Sequence, residues 1–302
     1  MKTIGYILKS GFIISLILLI SCESENNTID NSGFFIEISD GTLITENDIL
    51  FYDSSSCILF LKYDMYLSYK ESESGNILKN EFTVFVNRDT IYQGVIYPYD
   101  YMTSAGPPLP FFIYRDEQDL DRSVMEIRFT GYSSDLRNDP RIINALKNSG
   151  LLNSGISFTI DSVEVFDLFP NDKVRCVITI KNHDPINYYI LDPQKMGEAY
   201  YSFYNRGLVF YRHETGYVSD FDGIYHSEYG KITVDDFSLL KGNSSLSFTF
   251  SSDDYFIAFS GIYKCSFSLR YRGSYLDLNQ SDGRIWIGNV SSSIDNIIIE
   301  IE

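Results

Sequence analysis

Short apolar segments with a two-residue repeat recur along most of the chain, and this repeat constrains the fold more than any other feature. Within residues 174–180 every even-numbered residue is apolar, and Ile297, Ile299 and Ile301 share one side of the last segment. Successive side chains of a strand point to opposite faces, so this alternation is typical of half-buried strands. Gly, Asn, Asp and Ser separate the segments, as expected of turns. The sequence therefore predicts an all-β fold.

The 302 residues favour two domains. We expect an N-terminal β-rich domain over residues 34–154 and a second domain over residues 155–302, each resembling a β-sandwich. The predicted strands of the first domain are 34–38, 48–52, 57–62, 81–86, 90–97, 110–114 and 124–132. Those of the second are 156–166, 173–181, 188–191, 200–212, 231–234, 246–250, 255–271, 284–290 and 297–301.

Two local patterns complete the predicted architecture. Residues 82–92 read as a β-hairpin whose short loop contains Asn87, Arg88 and Asp89. Asp139 followed by Pro140 predicts the start of one short helix near the domain boundary, since Asp is a good N-cap and Pro suits the first helical position. Gly150 is a natural stop for that helix.

The first 21 residues have the pattern of a secretory signal. Lys2 and Lys9 precede an apolar run at residues 12–20, which is too short for a comfortable transmembrane helix. The run ends in Leu-Ile-Ser-Cys at residues 19–22, which resembles a bacterial lipobox. That resemblance implies that Cys22 is acylated and becomes the first residue of the mature chain. The alternative is an ordinary signal peptide followed by a chance cysteine.

Residues 22–33 are polar and acidic, so we expect a disordered tether between the lipid and the first domain. Acidic residues after a lipidated cysteine resemble the export signals of Bacteroidota surface lipoproteins. The expected location is the outer membrane, with exposure at the cell surface, and the expected partner there is the membrane itself, through the lipid anchor. A formal net charge of −17 argues against nucleic acid as a partner.

The second domain resembles an immunoglobulin-like β-sandwich. Residues 261–265 have the pattern G-x-Y-x-C of its sixth strand, with Tyr263 two residues before Cys265, and Cys176 lies on an early strand at inward-facing parity. The resemblance implies a disulfide between Cys176 and Cys265; the alternative is two small buried thiols. The strand after Cys176 lacks the usual Trp, and Tyr188 or Tyr189 is expected in its place.

The whole chain is also similar to a family of uncharacterised Bacteroidota lipoproteins. The matching stretches are residues 48–53 (DILFYD), 137–146 (RNDPRIINAL) and 191–197 (LDPQKMG). The resemblance implies location and architecture, and it implies no catalytic residues.

A search for catalytic and metal-binding patterns predicts neither catalytic residues nor a metal or other cofactor. His213 begins a pattern like H-E-x-x-H whose second His is replaced by Tyr217, and a metal site shared with His226 is a minor alternative. Asp220 and Asp222 form only part of a calcium loop, and the acids of residues 116–121 are expected to be a solvated loop.

Tyrosine is abundant in two short stretches. Tyr97, Tyr99 and Tyr101 precede a Pro-rich loop, and Tyr201 and Tyr204 lie in the second domain. Tyr combines an apolar ring with a hydroxyl, which suits sugars and protein interfaces, whereas packing within strands is the simpler explanation.

The leading hypothesis is a lipid-anchored, non-catalytic binding or adhesion module for glycan or protein. The alternatives are an accessory of polymer hydrolysis that uses acids such as Asp116, Asp119, Asp220 or Asp222, and a structural subunit of an envelope complex.

Overall fold

The computed structural model describes residues 33–62, 81–98, 111–114, 123–128, 135–166, 172–196, 208–216, 220–221, 233–256, 260–271, 279–280 and 282–300. Most of these residues lie in strands, so the predicted all-β class is confirmed. Residues 33–302 belong to one compact unit. Cys22 and the tether lie outside the described residues.

A nine-stranded sheet forms the first half, residues 33–154, in the order β2-β1-β5-β6-β7-β8-β4-β3-β9. The pairs β6–β7 and β3–β9 are parallel and the other pairs are antiparallel. Its strands are β1 (Phe34–Ile38), β2 (Leu43–Thr45), β3 (Ile49–Asp53), β4 (Ile58–Leu61), β5 (Glu81–Val86), β6 (Asp89–Pro98), β7 (Phe111–Tyr114), β8 (Ser123–Arg128) and β9 (Leu152–Asn153).

The predicted hairpin is present between β5 and β6. Its loop residues Asn87 and Arg88 have φ angles of 50° and 73°. Two successive positive φ angles are typical of the type I′ turn, whose twist matches that of the two strands it joins.

The predicted helix is also present, as α1 (Pro140–Asn148). The Asp139 side chain accepts a hydrogen bond from the Arg141 backbone N–H, and Gly150 follows with a φ of 71°. Ile142 and Leu146 are buried in the core of the first half. Because α1 contacts β1 and β5 near one end of the sheet and β9 at the other, it covers the core that the sheet curves around.

Strand β4 contributes to two cores at once. Leu59 and Leu61 point into the core of the first half, whereas Ile58 and Phe60 point into the core of the second half, residues 155–300. The phenyl rings of Phe60 and Phe51 are stacked with centroids 4.0 Å apart. The two halves therefore have separate cores joined through one strand; the two-domain division itself stays a prediction.

The second half contains a β-sandwich of seven strands. In chain order they are β10 (Ile156–Phe166), β11 (Asp172–Asn182), β13 (Leu208–Arg212), β14 (Asp220–Phe221), β16 (Ser245–Phe256), β17 (Gly261–Tyr271) and β20 (Gly288–Ile299). One sheet has the order β10-β11-β16-β14 and the other the order β13-β17-β20, with antiparallel pairing throughout. Lettered A to G along the chain, these are the orders A-B-E-D and C-F-G of a constant-type immunoglobulin sandwich. The β-sandwich prediction is thereby confirmed, and the relation of this domain to immunoglobulin-like domains stays a prediction. The two sheets are called the ABED sheet and the CFG sheet below.

Aromatic side chains fill the space between these two sheets. Phe267 of the CFG sheet packs against Phe158 and Phe250 of the ABED sheet, with ring centroids 5.5 and 5.4 Å away. The prediction that Tyr188 or Tyr189 takes the place of the missing Trp is wrong. The third strand of the sandwich is β13, where Phe210 pairs with Cys265.

Tyr188 and Tyr189 belong instead to a small sheet, here called the cap sheet, at one end of the sandwich. It has the order β15-β12-β19-β18, formed by β12 (Tyr188–Leu191), β15 (Phe237–Leu240), β18 (Asn279–Gln280) and β19 (Gly283–Ile285). These strands come from the B–C, D–E and F–G connections, which meet at the same end of such a sandwich.

Candidate functional site

Most of the tyrosines predicted to bind a ligand lie outside the described residues. This holds for Tyr99, Tyr101, Tyr201 and Tyr204, and Tyr97 belongs to β6 with a side chain that is not described. His226 and the acids Asp116, Asp119 and Asp222 are likewise outside, and the side chain of Asp220, at the start of β14, is not described. The ligand-binding role of these residues stays a prediction.

Cys176 and Cys265 lie in the core between the ABED and CFG sheets as free, fully buried thiols. Burial raises the pKa of Cys176 to about 12, and burial together with the neighbouring Cys176 raises the pKa of Cys265. Neutral buried thiols are poor nucleophiles and poor metal ligands. The disulfide between them stays a prediction.

A buried polar cluster joins the two halves. The Asp184 carboxylate accepts hydrogen bonds from the backbone N–H groups of Ser154 and Gly155, at 2.7 and 2.8 Å, and from the Tyr188 hydroxyl at 2.7 Å. Arg284 in turn donates to the Tyr188 oxygen at 3.2 Å. The Arg284 guanidinium also lies 3.8 Å from the ring centroid of Phe51, a residue of the first half.

Asp53 is the acid that the first half contributes to this cluster. One of its oxygens accepts hydrogen bonds from the Ser55 hydroxyl at 2.6 Å and from the backbone N–H groups of Ser55 and Ser56. Burial raises the pKa of Asp53, and the nearby Asp184 raises it further. Gly155 is needed beside it, because its φ is 72° and a side chain there would collide with Ser55 and Asp53.

The buried cluster is inaccessible to a substrate, although it contains an acid with a raised pKa. Asp53, Asp184 and Tyr188 are all almost fully buried. Their hydrogen bonds satisfy buried polar groups and connect the turn after β3 with the cap sheet. The cap-sheet end of the sandwich is therefore used for contact with the first half of the chain itself.

The accessible candidate site is the outer face of the CFG sheet. Tyr211, Ile262 and Ile298 are 41%, 44% and 72% exposed, and together they are called the distal patch. Ile262 and Ile298 are directly opposite each other on β17 and β20. Tyr211 of β13 pairs with Lys264, which is two residues after Ile262, so Tyr211 is a diagonal neighbour of Ile262. Cross-strand and diagonal neighbours on one face are within contact range, so the three side chains form one surface. The patch lies at the end of the sandwich opposite the cap sheet.

Charged side chains border the distal patch. The Asp295 carboxylate is 3.9 Å from the Lys264 ammonium group and 4.0 Å from the Nε2 atom of His213. A bulge places Asp295 there: Tyr263 pairs with Ile297 and Cys265 with Ile294, so Asp295 and Asn296 together face Lys264, and Asn296 has a φ of 63°. One carboxylate thus lies beside the Lys264 ammonium group of β17 and the imidazole of His213, the residue that follows β13.

The outer face of the ABED sheet has a different character. Its exposed residues are Ser157, Thr159, Asp161, Glu164, Arg175, Lys181, Ser245, Ser247, Thr249 and Ser251. This face carries none of the large exposed apolar side chains found among the described residues. A single surface-exposed Ile needs no explanation, whereas two paired isoleucines beside a tyrosine form a contiguous exposed apolar surface on this face.

Sequence reasoning missed the distal patch. Ile298 lies between Ile297 and Ile299, which share one side of the strand, and Ile262 lies beside Tyr263, but alternation alone does not tell that Ile262 and Ile298 meet on one surface. The available signal was consecutive apolar residues in strands that otherwise alternate, because one residue of each such pair must face outward.

No group of three or more potential metal ligands occurs among the described residues. None of the helices in the described ranges has the length and apolarity needed to cross a bilayer. Comparison with protein-family models, with curated proteins and with solved structures found no match to this chain.

Proposed function

We propose that this chain is a lipid-anchored lipoprotein of the outer membrane, exposed at the cell surface, that acts as a non-catalytic binding or adhesion module for glycan or protein. The observation that carries the binding role is the distal patch on the outer face of the CFG sheet. The lipobox at Cys22 and the acidic tether motivate the location.

The position of the distal patch supports a role in binding. The cap-sheet end of the sandwich contacts the first half of the chain, whereas Tyr211, Ile262 and Ile298 remain exposed at the opposite end. Burying a large aliphatic side chain stabilises a complex by about 1.5–3 kcal/mol, and an aromatic side chain contributes more area. Tyr211 offers a ring face to a sugar, and the two isoleucines suit a protein surface.

The exposed apolar surface also bears on the alternative functions. An apolar patch on the outer face of a sheet is what a structural subunit of an envelope complex would present to its neighbours. Hydrolysis of a polymer requires convergent acids in a cleft. The acids considered for that chemistry are Asp116, Asp119, Asp220 and Asp222, and their side chains are outside the described residues. We therefore place the structural role second and give hydrolysis no further support.

Binding is tested with residues 33–302, the compact unit, on a glycan array and in a pull-down from envelope extract. The parent is compared with Ile298→Lys in the distal patch and with Thr249→Lys on the ABED sheet as a matched exposed strand position. We expect a ligand that the parent and Thr249→Lys both retain and that Ile298→Lys binds about 10- to 100-fold more weakly. Blank results for folded parent protein in both assays, or equal binding by all three proteins, would contradict the proposal.

A further inference from the structure

The outer face of the CFG sheet changes height along its length. Towards the cap sheet, Ser266 pairs with Ser293 and Ser268 pairs with Ser291. These four outward-facing serines, here called the serine floor, have the smallest side chains of the face. Towards the opposite end of the sandwich, here called the free end, the same two strands and β13 contain Lys264 and the distal patch. One face therefore contains a raised apolar end and, between that end and the Arg270–Asn289 pair, a low polar stretch.

We propose that this face pairs with the same face of a second copy of the chain. The inference rests on the proposed function, because it names the occupant of the distal patch. The two-fold axis lies between the two faces and runs across the strands. It reverses the strand direction of the second copy, so that the distal patch of each copy lies over the serine floor of the other. Such isologous contact is the commonest way in which identical chains associate.

Shape favours this arrangement over patch-to-patch contact. Two packed sheets lie about 10 Å apart, a spacing that large side chains on one sheet fill when they oppose small ones on the other. Ile262, Ile298 and Tyr211 supply the large side chains, and the serine floor supplies the complementary depression. Patch-to-patch contact would instead leave the serine floor of both copies uncovered.

Charge also favours a meeting at this face. The chain has a formal net charge of −17, so two copies repel each other over most of their surface. On this face the Lys264 ammonium group lies 3.9 Å from the Asp295 carboxylate, so these two charges offset each other. Salt screens the general repulsion more than it affects the apolar contact, so association should strengthen between about 0.02 and 0.15 M salt.

The size of the face sets the strength to expect. Three strands of five, eleven and twelve residues, about 4.8 Å apart and at about 3.3 Å a residue, give roughly 450 Å² a copy. The resulting total of about 900 Å² is below the usual size of specific interfaces and fits a weak, transient contact. We therefore expect a weak dimer in solution, populated at tens to hundreds of micromolar protein.

Sedimentation velocity of residues 33–302, from about 5 to 500 μM, tests the inference. The variants are Ile298→Lys in the distal patch, Ser291→Trp in the serine floor and Thr249→Lys on the ABED sheet, each checked for folding by circular dichroism. The parent and Thr249→Lys should dimerise in the same concentration range, and both Ile298→Lys and Ser291→Trp should shift the dissociation constant upwards at least tenfold. Because Trp suits an exposed strand position, Ser291→Trp keeps the test decisive if Ile298→Lys does not fold.

Three results would overturn the inference. The parent could stay monomeric at every concentration, Ser291→Trp could dimerise like the parent, or Thr249→Lys could dissociate the dimer. A monomeric parent that still captures a glycan or another protein through Ile298 would leave the proposed function standing and remove only the second copy as the occupant.

Discussion

Two acidic residues change the stability of the fold with pH in opposite directions: Asp53, which is buried, and Asp135, which is exposed. Burial raises the pKa of Asp53 above its ordinary value of 3.8, so folding disfavours its ionised form. Hydrogen bonds from the Arg137 guanidinium lower the pKa of Asp135, so folding favours that ionised carboxylate. Asp53 therefore contributes stability at pH values below its ordinary pKa, and this contribution is lost as the pH rises through the pKa of the folded state. Asp135 contributes stability above its ordinary pKa, and this contribution is lost as the pH falls through the lower pKa of the folded state.

Replacing each acid by Asn tests these signs. An Asn at position 53 can still accept the hydrogen bonds from Ser55 and Ser56, so Asp53→Asn should gain stability relative to the parent as pH rises from 3 to 8. Asp135→Asn should lose stability relative to the parent over the same range. Urea denaturation at each pH gives both differences, and slopes of the same sign would show that burial does not dominate the pKa of Asp53.

A strained turn residue gives a second prediction at this scale. Arg88 has a φ of 73°, which costs a residue with a Cβ about 1–2 kcal/mol, while glycine adopts it freely. Arg88→Gly should therefore stabilise the protein by about 0.5–1 kcal/mol after the greater freedom of unfolded glycine is deducted. The control Arg88→Ala removes the same side chain and keeps the strain; equal stability of the two variants in thermal denaturation would refute the explanation.

At the scale of elements, the alternation of apolar residues predicted most of the long strands. The bounds of the remaining strands follow only from the pairing of strands in the structure. The hairpin of β5 and β6 and the helix α1 were predicted because turn and cap residues are local signals. β2, β9, β14 and β18 were missed, since strands of three or two residues carry no periodicity. The predicted strand 231–234 was wrong at its end, where Val234 begins a 3-10 helix, and β15 over Phe237–Leu240 follows that helix instead. β20 was divided wrongly: residues 291–293 are all serine and Asn296 bulges, so only pairing with β17 shows one strand over Gly288–Ile299. The predicted strand 255–271 is likewise divided, with β16 ending at Phe256 and β17 beginning at Gly261.

The candidate site was less predictable than the fold for the same reason. Which of two neighbouring apolar residues faces outward depends on partners far along the chain, as Ile262 and Ile298 show. The cap sheet depends on three separate connections meeting in space, a feature without a local sequence signal.

β4 provides the prediction for this scale. Phe60 packs in the core of the second half while its neighbours Leu59 and Leu61 pack in the first, so a cavity at Phe60 weakens the link between the halves. Phe60→Ala should lower the free energy of unfolding by about 3–5 kcal/mol. Phe85→Ala, a half-buried control on the same sheet, should lower it less.

Cooperative unfolding follows from the shared strand. Trp286 is the single Trp and is buried with the second core, so its fluorescence reports on that half, whereas far-ultraviolet circular dichroism reports on both. The two signals should change at the same urea concentration in the parent and in Phe60→Ala. Two separated transitions in the parent would mean that the halves fold independently.

For the whole molecule, the proposed role depends on where the chain resides. A binding surface at the free end of the sandwich serves adhesion only if the chain is held at the membrane and faces its surroundings. Diacylglycerol on Cys22 together with an acyl group on its amine would hold the chain stably, because burial of each CH₂ contributes about 0.8 kcal/mol and one chain alone gives only marginal binding.

Labelled palmitate fed to cells that produce the full chain tests this anchor most directly. We expect that the parent incorporates the label and fractionates with the outer membrane, and that Cys22→Ala does neither. Absence of label from the parent, together with equal membrane fractionation of the parent and Cys22→Ala, would contradict this expectation.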